Sequence, residues 1–320
     1  MIPATAHFIW IGREFPWLNW AALASAQKHG DFSRLLLHHT HDLSHARYWR
    51  ELADLKGVEC RWLAPEAELE RAAGPRFVEL YRRLSAPAAQ ANVLRVALLL
   101  NHGGVYLDLD TVTTQSLAPL RETGSFFCGA ERLAFPAWLE HSRNPLAWSA
   151  ALARTTARDV ARRSARGIHW FQRIRHLYPT AANNAVVGAE AGHPFLGELC
   201  ARMLELPQER SLRRYALGTA LLQHALAETG ASGLTLHPPE LFYPLGPELS
   251  AHWFRLDPLA KLDDALAPST RVVHWYASVR TRELVPRIDR EYVLRYRKRQ
   301  LLSALLHRTL HSEDADGEPS

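Results

Sequence analysis

Residues 89–110 read AQANVLRVALLLNHGGVYLDLD, and this stretch decides the fold. Its first part has apolar residues at helical spacing, with Val93, Val96, Ala97 and Leu100 on a face able to pack on a sheet. Asn92 and Arg95, three residues apart, share another face. Pro87 suits a helix start, so a helix is predicted over 88–101, and Gly103-Gly104 stops it because glycine readily takes the left-handed conformation after a helix end. Val105 to Leu109 then reads as a strand. Side chains of an extended chain alternate, so Asp108 and Asp110 are expected on one side of its C-terminal end. Two converging carboxylates make a site for a hard divalent cation, Mn2+ or Mg2+. Such a cation bridges diphosphate oxygens and neutralises a departing nucleotide. A bare D-x-D is common in turns; the helix, glycine stop and apolar strand before it give it weight.

Working outward, short apolar runs alternate with helical ones. His7–Ile11, Ser33–His39, Gly57–Leu63, Ser125–Gly129, Ala185–Ala189, Leu234–Leu236 and Arg271–Trp275 read as strands. Helices are predicted over 17–28, 48–55, 66–84, 194–205, 211–228 and 291–310, with a helical, Arg- and Trp-rich insertion at about 131–178. This alternation predicts an α/β class with a mixed, mostly parallel sheet flanked by helices. No internal repeat or linker divides the chain, so residues 1–310 are read as one domain and the polar 311–320 as a disordered tail.

The 320 residues are 47% hydrophobic and 22% charged, which places them in the globular range. Cys60, Cys128 and Cys200 are far apart and odd in number, arguing against a disulfide framework or zinc knuckle and for free thiols in a reducing compartment. No signal-peptide pattern and no membrane-length apolar run is present, so the expected location is cytoplasmic. The net charge of +5 and pI near 9.3 come almost wholly from arginine; the charge suits anionic ligands and carries no nucleic-acid signature. At the C-terminus, Arg290, Arg295, Arg297, Lys298, Arg299 and Arg308 interleave with Leu301, Leu302, Leu305 and Leu306. A basic amphipathic helix of this kind suits either packing on its own domain or peripheral contact with the inner face of the cytoplasmic membrane. His38, His39 and His41 lack acidic partners and are read as loop residues.

The 89–110 string resembles the sugar-binding region containing the DXD motif of glycosyltransferase family 32, kin of the α1,4-galactosyltransferases and of the glucosyltransferase domains of large clostridial toxins. Ala89, Arg95, Leu99, Gly103, Gly104, Tyr106, Asp108 and Asp110 match the family pattern A-x-S-D-x-x-R-x-x-x-L-x-x-x-G-G-x-Y-x-D-x-D. Weaker similarities follow in order: HFIWIG at 7–12, NAVVGA at 184–189 with HPF at 193–195, GTALL at 218–222, FYP at 242–244 and VHW at 273–275.

The resemblance implies a GT-A fold, a metal-bound nucleotide-sugar donor (a UDP-sugar foremost) and transfer with retention to a glycan, lipid-linked or protein acceptor. On matching positions it makes Asp110 a direct metal ligand. Asp108 would hold ribose, metal-bound water or donor sugar, and Arg95 the sugar or its phosphates. Trp10 is placed near the nucleobase and His274 at the metal or diphosphate. Asn184, in the weaker NAVVGA piece, is a further donor-site candidate, read either as facing the reaction centre or as capping a turn. One position departs: the family's Ser-Asp pair is Ala91-Asn92 here, so Asn92 meets the donor sugar without a charge, leaving donor identity open. Manganese and polysaccharide biosynthesis are the accompanying expectations. Two rival readings stand beside this one. Asp108 and Asp110 also resemble the nucleophile loop of a haloacid dehalogenase-type phosphatase, although about a hundred residues precede it. A degenerate transferase that only binds glycans or nucleotides is the other.

Overall fold

The computed structural model describes residues 1–136, 139, 142–213, 216–230, 233–277 and 283–311; the 312–320 part of the expected tail lies outside them. Nine strands are present among the described residues: β1 Thr5–Trp10, β2 Arg34–His39, β3 Val58–Trp62, β4 Gly104–Leu107, β5 Thr111–Thr113, β6 Phe126–Arg132, β7 Thr180–Ala189, β8 Leu234–His237 and β9 Val272–His274. Seven form one sheet in the order β3-β2-β1-β4-β7-β6-β8, and β5 pairs with β9 in a small antiparallel sheet. In the large sheet β1 runs parallel to β2 and β4, β2 to β3, and β6 to β8, while β7 is antiparallel to both its neighbours. The mixed, mostly parallel sheet flanked by helices is the architecture expected from the sequence.

Both faces of the sheet are covered at its centre, which is why β1 and β4 are buried nearly throughout, whereas the edge strands β3 and β8 are partly exposed. On one face the Pro87–His102 helix buries Val93, Val96, Ala97 and Leu99 with the 194–205 and 219–229 helices. On the other, Phe8, Leu35, Leu37 and Val105 pack with Ala22 and Leu23 of the Trp17–His29 helix. The chain builds β1, β2 and β3 outward in one direction, then returns to place β4 on the opposite side of β1. The C-terminal ends of β1 and β4 therefore flank a switch point, where open α/β sheets form a ligand crevice.

The glycine pair makes this juncture. Gly103 has φ 65° and closes the helix, its N–H bonded to Leu99 O. Gly104 has φ 108°, and a Cβ there would lie 2.6 Å from Thr5 O, so only glycine lets β4 start this close to β1.

Several boundaries differ from expectation. The 66–84 helix is two, Pro65–Ala73 and Pro75–Arg83, separated at Gly74 with φ 77°. The 211–228 helix is replaced by Gln208–Ser211 and Thr219–Thr229, and the 291–310 helix by Arg290–Tyr296 and Leu301–His311. The strand expected over 105–109 stops at Leu107, because the Thr111 hydroxyl donates to Asp108 O at 2.7 Å and the chain turns out of the sheet into β5.

The insertion between β6 and β7 contains helices Pro145–Arg163 and Gly167–Ile174, whose Ala161, Ile168 and Phe171 share a core with Leu249 and Trp253. That core also takes Leu301, Leu302, Leu305 and Leu306. Arg295, Arg299 and Arg308 pair with Glu291, Asp257 and Asp263. The four leucines of the Leu301–His311 helix thus pack in the protein core. No helix of the described residues is long and apolar enough to cross a membrane. The three cysteines are free, as expected.

Candidate metal and donor site

Asp108 leaves the sheet at the end of β4 with its backbone N–H still bonded to Ala185 O of β7 at 2.8 Å. Its Oδ1 accepts from Arg95 Nη2 at 2.9 Å and from the Tyr106 hydroxyl at 2.7 Å. The Arg95 guanidinium lies over the Tyr106 ring, 4.3 Å from the centroid, and its Nη1 donates to Asn184 O. Arg95 is almost fully buried, so one cation ties the helix, β4 and β7 together beneath the carboxylate.

Asp110 sits two residues on in the turn, with its carboxylate gripped by the last residue of β9 and the segment after it. Its Oδ1 meets His274 Nε2 at 2.8 Å and its Oδ2 accepts from Ala277 N–H at 2.8 Å. The pairing of Thr111 with His274 in the β5–β9 sheet is what brings His274 back across the sequence. Ligand atoms of Asp108, Asp110 and His274 lie within 4.8 Å of one another. Convergence was expected from strand alternation; it is produced instead by the turn after β4 and the return of β9.

The pKa values of the two carboxylates are pushed in opposite directions. Burial raises the pKa of Asp108, Arg95 opposes it, and the neighbouring charge of Asp110 adds to it; the balance is upward. Burial also pushes Asp110 up, but the charge and hydrogen bond of His274, with the Ala277 N–H, bring it below the usual carboxylate value. For His274, burial opposes the charge and Asp110 more than restores it, so the imidazole pKa rises. Two oxygen donors and one imidazole suit a divalent ion such as manganese. The concentration of negative charge, offset by one buried arginine, gives such an ion a reason to bind.

Asn92 and Asn184 meet directly, the Asn184 amide donating to Asn92 Oδ1 at 3.0 Å. Asn184 reaches the site through a β-bulge: β6 pairs Cys128 with Val187 and then Gly129 with Asn183, so 184–186 are extra on β7. The bulge turns Asn184 toward the helix, as bulges beside functional sites do. Gly218 closes against this pair, since a Cβ there would lie 2.8 Å from Asn92 Nδ2.

Trp10 ends β1, the strand beside β4, in contact with Phe15 and with its indole N–H buried and unpartnered. It belongs to the same sheet edge, though no described contact joins it to the two aspartates. In register it stands beside His39, and His39 beside Trp62, an aromatic row across three strands. His38 and His39 are not loop residues: both are buried on β2, with His38 Nε2 3.0 Å from His7 Nδ1.

Sequence reasoning gave no role to Tyr106, Glu131 or Tyr276. Tyr106 was present as a motif match, and its period-two spacing from Asp108 was the available signal. The other two had none. The phosphatase alternative is not favoured: β1, β2 and β3 all precede β4, so the aspartates do not follow the first strand of the fold.

Residues 22–127 match the family described as glycosyltransferase sugar-binding region containing DXD motif, a span that includes Arg95, Asp108 and Asp110. This part of the chain is similar to that family's sugar-binding region. A glycosyltransferase of Acanthamoeba polyphaga mimivirus is 40% identical over 53 residues, 17% of this chain and 21% of that protein. The chain therefore spans about a fifth of the length of that curated relative. Among solved structures, the PaToxG glycosyltransferase is similar with 16% identity and a TM-score of 0.47, covering 71% of this chain and 70% of that one. Mouse xyloside xylosyltransferase 1 gives 13% identity and a TM-score of 0.47, covering 86% of this chain and 98% of that one.

Proposed function

We propose that the chain is a GT-A-type glycosyltransferase that moves a sugar from a UDP-sugar to a hydroxyl acceptor, a glycan foremost, with retention of configuration. The observation that carries this reading is the meeting of Asp108, Asp110 and His274 at the C-terminal edge of β4, beside the sheet's switch point.

Asp110, Asp108 and His274 would hold a divalent cation, Mn2+ first among candidates. When bound, it supplies electrostatic stabilisation to the departing diphosphate. Arg95 fixes the Asp108 carboxylate and supplies positive charge beneath the donor. The Asn92–Asn184 amide pair offers both donor and acceptor groups to sugar hydroxyls, where a carboxylate would offer acceptors alone. Trp10, at the end of β1, offers its indole to the nucleobase. Same-face attack by the acceptor hydroxyl accounts for retention without a covalent intermediate. The free thiols suit a cytoplasmic protein.

The test is hydrolysis of UDP-Glc, UDP-Gal, UDP-GlcNAc and GDP-Man with and without Mn2+. Cation-dependent release of a nucleoside diphosphate from at least one donor is expected, and Asp110→Ala should lose it while remaining folded. Donors left intact under every condition would instead support a binding module. Undiminished turnover by Asp110→Ala would remove the site assignment.

A further inference from the structure

Just past His274 the backbone takes a turn that its side chain disfavours. Tyr276 has φ 60°, a left-handed conformation uncommon for a bulky aromatic residue. Strain of this kind persists only where surrounding contacts enforce it, and here they can be named. The Tyr276 ring lies 4.0 Å from the His274 ring, centroid to centroid, and its hydroxyl donates to Glu131 Oε2 at 2.8 Å. Glu131 is itself buried on β6 and is also hydrogen-bonded by the Asn183 side chain at the edge of the β7 bulge.

The left-handed residue changes what Asp110 receives. Trp275 N–H donates to Asp110 O at 3.0 Å, continuing the β5–β9 ladder. Had Tyr276 stayed extended, the chain would have run on past the carboxylate. Reversing at Tyr276 instead folds Ala277 N–H back onto Asp110 Oδ2 at 2.8 Å while His274 Nε2 holds Oδ1. Both carboxylate oxygens are thereby fixed from one four-residue segment.

We propose that Tyr276, anchored by Glu131, is a positioning residue that holds His274 and the Ala277 N–H against Asp110 and so presets this half of the cation site. The inference rests on the metal reading above. Tyr276 and Glu131 ligate nothing themselves; they act by fixing the angle at which a carboxylate and an imidazole face the incoming ion. Supporting contacts of this sort typically govern how well ligands are oriented.

The test uses the full chain. Tyr276→Phe keeps the ring against His274 and drops the hydroxyl, Glu131→Leu removes the acceptor, and Glu131→Gln keeps an acceptor oxygen for the tyrosine. Two quantities are measured on variants that unfold cooperatively: Mn2+ affinity by calorimetry without donor, and hydrogen exchange of the Ala277 amide in metal-free protein. Tyr276→Phe and Glu131→Leu should each weaken Mn2+ binding and accelerate Ala277 exchange about fivefold, the worth of one hydrogen bond. Glu131→Gln should return both to within about twofold of wild type, and the double variant Tyr276→Phe/Glu131→Leu should be no worse than either single change. Unchanged Ala277 exchange in Tyr276→Phe, or a failure of Glu131→Gln to restore it, overturns the proposal. A wild-type chain that takes up no Mn2+ would remove the metal reading, and the exchange result would then decide the positioning role alone.

Discussion

Replacing Arg95 by methionine tests the core of the site, because methionine keeps the length and helix preference of the side chain and removes only its charge and donors. In the native structure the guanidinium satisfies Asp108 Oδ1 and Asn184 O from a position that is 6% exposed. Without it, Asp108 keeps the Tyr106 hydroxyl alone. Breaking one side of a buried ion pair costs about 3–5 kcal/mol. The Asp108 side chain is 25% exposed, so water recovers part of this, and the lower end, about 3 kcal/mol, is the expected loss. The pH dependence carries a sign. Arg95 is the largest of the groups that restrain the upward shift of Asp108, ahead of His274 and the Tyr106 hydroxyl, so the carboxyl of the variant has a folded pKa further above its unfolded value. A group with a raised folded pKa is tolerated while protonated and penalised once ionised, so the deficit relative to wild type should grow from pH 5 to pH 8. Urea unfolding at both pH values measures it through the midpoint at constant slope. A loss below about 1 kcal/mol at pH 8, or a deficit that shrinks as pH rises, would refute the account of Arg95 as the buried counter-charge. Arg95→Lys should rescue only part of the loss, since a point charge cannot reach both oxygens in the arginine's planar geometry.

Further outcomes follow from other parts of the fold. Burial lowers the pKa of His7 to about 4 and of His38 to about 3, the mutual repulsion of the pair adding to the latter. Both stay neutral when folded but take up protons near pH 6.5 when unfolded, so their contribution is present above that value and declines below it by about 2 kcal/mol per histidine from pH 7 to pH 5. The urea midpoint of His38→Gln should therefore fall less steeply on acidification than that of wild type, and parallel slopes would contradict this. Gly218→Ala places a methyl 2.8 Å from Asn92 Nδ2 and should displace Asn92 from Asn184. Donor hydrolysis is expected to fall at least about tenfold with less than about 1 kcal/mol lost in stability, and full activity would argue against a role for the amide pair. Leu305→Ala opens a cavity in the core and should cost about 3 kcal/mol by urea unfolding, whereas Leu294→Ala, partly exposed, should stay within about 0.5. Equal effects would mean that the C-terminal helix is not a core element.

What the sequence disclosed was whatever depends on neighbours along the chain. The Pro87 start, the apolar stripe through Val93 and Ala97, the Gly103-Gly104 stop and the placing of Arg95 one turn from Asn92 are local consequences of helix geometry, and each stands in the structure. Asp108 and Asp110 were legible for the same reason. The error lay in the cause of their convergence: strand periodicity was taken to continue to Leu109, whereas the Thr111 hydroxyl closes a turn at Asp108 O. Nothing in a hydrophobic pattern reports a side-chain bond that ends a strand early.

The remaining parts of the site depend on contacts that are distant in sequence. His274 meets Asp110 across a separation of 164 residues, and Tyr276 meets Glu131 across 145. No propensity favours a tyrosine at φ 60°; the conformation exists because Glu131 and His274 hold its two ends. Likewise Asn184 faces Asn92 because a register shift between β6 and β7 leaves 184–186 unmatched. Both features set local backbone preference against tertiary contacts, and the contacts prevail beside the aspartates. The bulge and the left-handed tyrosine border the same pair of carboxylates and meet at Glu131, which accepts from both Asn183 and Tyr276. Regular alternation would have carried both strands past the site; their two irregularities are what turn hydrogen-bonding groups toward it.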